Sequence, residues 1–381
     1  MKLRSILLSA AIALGAVTLT SCADNVSPTE TEQPTPPPSA AEEEQPPATQ
    51  EEEPYEPIQI GTTEDGYEYG YTDDSGESII IMGYTGSETE IEIPAAIIGK
   101  PVTMIGKSAF AENTELTSVT FPDSIVRIGA EAFCECSSLT SFAFPDGVEV
   151  IEDEVLYGCK SLTELTIPNG VAVIEPGAFA FCESLTSINI PDTVTVIGAV
   201  AFFCCESLTS ITIPDSVTEI GNSAFNKSGL THVDIPDSVT MMGDTVFTYC
   251  YDLTSVTLSS NLTKIEDGTF DYCYSLISVV IPEGVTEIGA KAFRSCKSMN
   301  SVTIPDSVTS IGYYAFIDCD SLTSVTIPRS VTFIDEQAFG YGGYFSEEKY
   351  LLEDFEIYCY FDTAAEQYAY ENDISYTYIH D

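Results

Sequence analysis

The chain has 381 residues with 60 acidic and 13 basic side chains, a formal charge of -47, 12 cysteines and two histidines. Such a surplus of carboxylate argues against nucleic acid as a partner, because that affinity rests on Lys and Arg neutralising phosphates, and against docking on anionic lipid headgroups. A charge of this size keeps a protein soluble by self-repulsion, and it is compatible with cationic partners or bound calcium.

In chain order, Lys2 and Arg4 precede an apolar run from Ile6 to Leu19, which at 14 residues is too short for a membrane span. The run suits an export signal. It closes on Leu19-Thr20-Ser21-Cys22, which resembles the bacterial lipobox. That resemblance implies removal of residues 1–21 and diacylglycerol on the Cys22 thiol. Stable anchoring takes more than one acyl chain at about 0.8 kcal/mol per buried CH₂, which an acylated Cys22 supplies. Residues 22–57 read as a disordered acidic tether carrying Pro36-Pro37-Pro38, Glu42-Glu43-Glu44 and Glu51-Glu52-Glu53. Low hydrophobicity and clustered like charge leave nothing to offset the entropy of ordering. The tether reaches roughly 30 Å as a coil and about 110 Å as extended polyproline II.

Residues 58–104 alternate, as in Tyr67-Glu68-Tyr69-Gly70-Tyr71 and Ile91-Glu92-Ile93, with turn residues at Asp65-Gly66, Asp73 to Gly76 and Thr85-Gly86. This predicts a small N-terminal β cap. From 105 to 340 a 23-residue unit repeats, its strictest column being Phe110, Phe133, Leu156, Phe179, Phe202, Phe225, Phe247, Phe270, Phe293, Phe316 and Phe339, with one 22-residue step after Phe225. Self-similarity at a fixed short period predicts a solenoid. In the unit beginning at Ser207, Leu208, Ile211 and Ile213 are spaced as the inner face of a strand that Pro214 ends. Val217 and Ile220 point inward from a second extended piece, and Gly221 opens the turn that returns Ala224-Phe225 to the core. One unit cannot bury its apolar side alone, so coils must stack. Residues 341–381 predict a C-terminal cap: Thr363-Ala364-Ala365-Glu366 is a capping box opening a helix to about Glu371, and Ile374 to Tyr378 alternates as a strand.

The Ile-Gly-x-x-Ala-Phe, Leu-x-x-Val-x-Ile-Pro and interior cysteine elements resemble the BspA-type branch of the bacterial leucine-rich repeat family. The resemblance implies a mainly β leucine-rich-repeat solenoid of about 11 coils with caps at both ends. It implies a surface-exposed binding or adhesive protein; taken with the lipobox-like Cys22, the expectation is an exported protein lipid-anchored to the bacterial cell envelope, whose contact with the membrane is through the anchor only.

Reactive residue types are present without the arrangements chemistry needs. Cys136, Cys159, Cys182, Cys205, Cys250, Cys273, Cys296 and Cys319 share one repeat position, three residues after the apolar column. In-register side chains point the same way into the core, so a ladder of reduced thiols is expected rather than disulfides. Structural zinc needs four convergent ligands, and His232 and His380 are the only histidines. Serines lack a Gly-x-Ser-x-Gly elbow, and the Asp column from Asp123 to Asp306 fits turn chemistry after proline. Neither an enzyme nor a cofactor is expected.

The strand surface carries columns of Ser and Thr, Ser118 to Ser324 and Thr120 to Thr326, suited to a glycan, an extended polypeptide or plain solvent. Departures from the repeat say more. The short coil brings Asn226, Lys227, Ser228, His232 and Asp234, and the two coils that follow carry Tyr249, Tyr251, Tyr272 and Tyr274 beside the cysteine column. Stacked solvent-facing tyrosines offer rigid amphipathic contact area. Tyr249, Tyr251, Tyr272, Tyr274, His232 and Asp234 are therefore the candidate ligand-binding residues, for an extracellular protein or glycan. A structural spacer or envelope component without a specific ligand is the alternative.

Overall fold

A computed structural model describes residues 59–343 and 349–380, and every statement of structure concerns these; the export segment, Cys22 and the tether expected over residues 1–57 lie outside the described residues. The protein is mainly β, a solenoid of about 13 turns spaced by about 23 residues. That exceeds the 11 or so read from the repeat, because both caps supply coils of irregular length.

A middle coil shows how the repeat folds. Its first arm, Ser278–Val280, pairs in parallel with Ser301–Thr303, matching each residue to its equivalent one repeat later. Leu276, Val279 and Ile281 are buried behind it. The proline that follows closes a turn, with the Val285 N–H donating to the Pro282 carbonyl at 3.0 Å. The second arm pairs Glu287 with Ser310 and Ile288 with Ile311, again with its isoleucine inside.

The third arm uses a different device. Lys291, Phe293 and Ser295 donate forward to Tyr313, Ala315 and Ile317 of the next coil, each at 2.8 Å, while Ala292, Arg294 and Cys296 fold back to carbonyls three residues earlier. Lys291 and Ser295 sit at φ of 58° and 59°. Equivalent left-handed residues recur along the stack, among them Val200 at 51° and Phe181 at 60°, though this region favours glycine. The alternation keeps every second N–H aimed at the neighbouring coil while Ala292 and Phe293 turn inward. Cys296 completes the arm: its thiol donates to the Phe270 carbonyl of the preceding coil at 3.2 Å, and Cys136 through Cys319 repeat the contact. The 11 described cysteines are free and buried.

Stacking turns the apolar column into a spine. Successive rings from Phe202 to Phe339 lie 4.6 to 5.7 Å apart and within 15° of parallel, close to the strand spacing of a sheet. Outside the spine, threonine hydroxyls form ladders: Thr140 donates to the Thr117 carbonyl and Thr163 to that of Thr140 on one arm, as Thr309 and Thr332 do on the other. One expected strand is reduced: around Leu208 to Ile213 the first arm keeps a single bridge, Asn189 to Thr212. Asn189, a poor strand former, stands there in place of threonine.

The caps join the stack directly. At the N-terminus β1 (Gln59–Thr62), β2 (Tyr67–Tyr71) and β3 (Ile79–Tyr84) form an antiparallel meander. β4 (Glu90–Glu92) pairs in parallel with Ser118–Thr120, and β5 (Ala96–Ile97) turns into β6 (Lys100–Ile105), which β3 and Arg127–Ile128 flank in parallel. At the C-terminus Glu356–Cys359 continues the first arm from Ser324–Thr326, and Ser375–Tyr378 adds one further strand. Helix α1 (Ala364–Glu371) lies between them, with the Thr363 hydroxyl accepting from the Glu366 N–H at 3.4 Å. Its Tyr368 resolves the end of the spine: the hydroxyl accepts from the Phe339 N–H at 2.9 Å and donates to the Phe339 carbonyl at 3.0 Å, replacing the missing next coil.

Candidate binding site

Two positions of the third arm carry the ridge of the solenoid, the residues two and four places after the spine ring. The first is left-handed in coil after coil, with φ of 58° at Lys227, 62° at Tyr249, 61° at Tyr272 and 59° at Ser295. Stacking places like beside like. Tyr249 and Tyr272 are 4.8 Å apart and 14° from parallel, and Tyr251 and Tyr274 are 5.2 Å and 26°. Within each coil the two rings are 6.0 Å apart and tilted or edge-on. The four candidate tyrosines are thus one two-by-two tile.

The tile has a wet side and a dry side. Tyr251 is 42% exposed, whereas Tyr272 is 3% exposed, so it departs from the expectation of a solvent-facing ring. The cause lies one residue along the spine, where Asp271 and Arg294 occupy equivalent places in adjacent coils. Arg294 Nε donates to Asp271 Oδ1 at 2.6 Å and Nη2 to Oδ2, a buried forked pair. The guanidinium also stands 4.6 Å from the Tyr272 ring centre. It therefore covers the ring and fixes it from beneath. Burial pushes the Asp271 carboxyl up to about 6, opposed by the Arg294 charge. Lys297 Nζ lies 5.0 Å over Tyr274. Burial raises the Tyr249 and Tyr251 phenols above their ordinary range, so these two keep their protons at neutral pH and can donate hydrogen bonds. Asp271, Arg294 and Lys297 escaped the sequence reading, although opposite charges exactly one repeat apart signal a contact once stacking is assumed.

The shortened coil borders the tile. One residue is missing between Phe225 and Leu230, and Gly229 stands where neighbouring coils carry Glu206 and Tyr251. A Cβ there would come 2.1 Å from the Glu206 carbonyl oxygen, so only glycine fits the tightened turn. Lys227 is turned away to Glu206 at 2.8 Å, and Ser228, in the cysteine column, bonds Cys250 Sγ at 3.3 Å.

His232 and Asp234 form a second constellation on the first arm. His232 Nε2 meets Asp234 Oδ2 at 3.1 Å and Nδ1 meets Ser255 Oγ at 3.0 Å. Asp234 is held below the usual carboxylate range by the Thr257 hydroxyl and then by His232. The order Asp, His, Ser echoes a hydrolytic triad, but all three side chains stand exposed on a strand pair whose N–H groups serve the ladder. Stabilising an oxyanion requires donors aimed at a substrate, and this arrangement offers a polar contact surface instead. Among the described residues, no three His, Cys, Asp or Glu side chains converge as metal ligands, and no helix is long and apolar enough to cross a membrane.

A family model described as BspA type leucine rich repeat region, in six copies, matches residues 103–231, 172–299, 218–346 and 263–374. Among solved structures, a leucine rich cell surface protein from Faecalibacterium prausnitzii is similar at 27% identity and a TM-score of 0.59, over 86% of this chain and 96% of its own. A leucine-rich repeat protein from Bacteroides ovatus is 25% identical with a TM-score of 0.42, over 84% of this chain and 100% of its own. No curated protein matches the chain.

Proposed function

The chain belongs to the BspA-type leucine-rich repeat family, and on that premise we propose that it is a lipid-anchored cell-surface protein that binds an extracellular protein or glycan through its ridge. The observation that carries this reading is the tyrosine tile. Four rings stack on adjacent coils at positions the spine leaves free to vary, with Tyr272 backed by a buried Arg294–Asp271 pair. Rigid aromatic area of this kind is the usual anchor of recognition surfaces, and it binds with little loss of side-chain freedom. His232 and Asp234 add a polar contact on the neighbouring arm. Lipid at Cys22 attaches the protein and the acidic tether of residues 22–57 lifts the solenoid off the membrane; the cell-surface description of the Faecalibacterium relative agrees with this placement.

The test compares the full chain with a Tyr251→Ala/Tyr274→Ala variant on glycan arrays and on a panel of purified extracellular proteins. Retained ligands are expected to bind the variant about tenfold or more weakly. Equal binding by both forms removes the tile from the reading. No binding to either panel removes the binding function and leaves a spacer role, which the uniform threonine ladders favour.

A further inference from the structure

A second place on the molecule, remote in sequence from the tile, has the make-up of a ligand site. Between the last regular coil and α1 lies an open cleft of about 710 Å³, lined by Arg329, Phe361, Asp362, Gln367, Tyr370 and Tyr376 among others. Its volume falls in the range of small-molecule sites. Tyr370 and Phe361 are 74% and 72% exposed, the most exposed aromatic rings among the described residues. Elsewhere on α1 the fold hides its apolar residues: Ala365, Tyr368 and Ala369 are buried. Tyr370 is thus turned out on the helix that plugs the spine. Phe361 rests edge-on against Tyr378 at 5.9 Å, and the Tyr378 hydroxyl is tied to the Glu366 carboxylate. That contact supports the Phe361 ring from one side, and the ring otherwise stands in the cleft lining, largely exposed.

We propose that this C-terminal cleft binds a neutral oligosaccharide. A sugar ring has an apolar C–H face bordered by hydroxyls that both donate and accept. Exposed aromatic faces interleaved with planar polar groups match that pattern, because a carboxylate, a carboxamide and a guanidinium each present paired donors or acceptors to vicinal hydroxyls. Asp362, Gln367 and Arg329 bring one of each to the lining around the two rings, Gln367 with its Nε2 donating to Glu371 Oε1 at 2.9 Å and Arg329 lying 4.2 Å from the Tyr360 ring centre. An apolar helix or strand of a partner protein would meet the charges of Arg329, Asp362 and Glu366 in this lining. The electrostatics select neutral sugars: Asp362 and Glu366 line the cleft against the single cation Arg329, on a chain of charge -47, so uronate or sulfate polymers are repelled. This site is independent of the tyrosine tile and stands or falls without it.

Affinity electrophoresis of the full chain tests the proposal, in native gels containing a β-glucan, an α-glucan, a mannan or a galactan, with a polyuronate as the anionic arm. Retardation is expected in at least one neutral gel. Phe361→Ala/Tyr370→Ala should weaken it about tenfold or more, as for loss of an aromatic anchor, in a gel whose retardation survives Tyr251→Ala/Tyr274→Ala. Thermal melting of each variant runs alongside, and if Phe361→Ala lowers the melting temperature, Tyr370→Ala alone carries the comparison, its ring being in solvent. Absence of retardation in every neutral gel, retardation in the polyuronate gel alone, equal retardation of the cap variants, or a loss that follows only the Tyr251/Tyr274 variant overturns the proposal.

Discussion

Phe270 and Tyr272 are two residues apart on one turn, and the same stacking acts on both, yet they belong to regions with opposite rules. The spine admits a large apolar residue at every coil, since each ring is the floor of the next; its single departure, Leu156, is still fully buried. The ridge position carries Glu135, Gly158, Phe181, Cys204, Lys227, Tyr249, Tyr272 and Ser295 in turn. A backbone that repeats so closely cannot explain side chains that vary so widely. The lesson is that in a solenoid the informative residues are those the scaffold does not ask for, and two tyrosine pairs in register are the strongest such departure on the ridge.

The comparison can be broken hardest from the spine side with alkali. Burial drives the Cys182 thiol up to about 12 and that of Cys250 up to about 11, with others in the ladder raised further. An unfolded chain begins to release these protons near pH 8.5, so above that point it binds fewer protons than the folded one, and stability falls as pH rises by up to about 1.4 kcal/mol per pH unit for each thiol. Summed over a ladder, we expect a steep loss of fold between about pH 9 and 11. Circular dichroism along an alkaline titration checks it, and serine at several ladder positions should shift the transition upward. A flat profile would show the thiols to be ionised or oxidised in the native state.

Next in size is the direct exchange. Phe270→Ala is expected to cost about 3–5 kcal/mol through the cavity it leaves in the spine, whereas Tyr251→Ala on the ridge should lie within about 0.5 kcal/mol. Urea denaturation of both variants measures the difference; similar costs would mean that the tile is part of the structural core. The smallest effect sharpens the backbone side of the contrast. Val200 is β-branched and left-handed, so Val200→Gly should raise stability by up to about 1 kcal/mol, the relief at the left-handed position exceeding the added chain entropy. A clear loss would show that packing of the valine methyls outweighs its backbone conformation.

The spine was legible because one large apolar residue per 23 is a constraint no other fold imposes, and Thr363 to Glu366 announced α1 by its capping chemistry. The cap coils were not. Glu90 pairs with Ser118 and Glu356 with Ser324, at separations unlike the repeat, so periodicity alone assigns them to separate layers. The left-handed ridge was hidden for another reason: glycine marks it at Gly158 alone among the described coils, and elsewhere the stack imposes the conformation on residues that resist it. The buried face of the tile depends on Arg294, whose reach across one coil becomes visible only when register is known. The cleft beside α1 arises from chain segments with no repeat at all, and its two exposed rings look in sequence like any others.

The thiol contact of each coil carries a consequence for how such chains change over generations. Cys296 donates to Phe270 as Cys273 does to Phe247, so the bond crossing each junction is the same bond translated. Unequal recombination that removes or duplicates one 23-residue cassette therefore rejoins every donor to an equivalent acceptor. Copy number can drift without an orphaned group in the interior, and the reach of the solenoid becomes a heritable variable separate from what it displays.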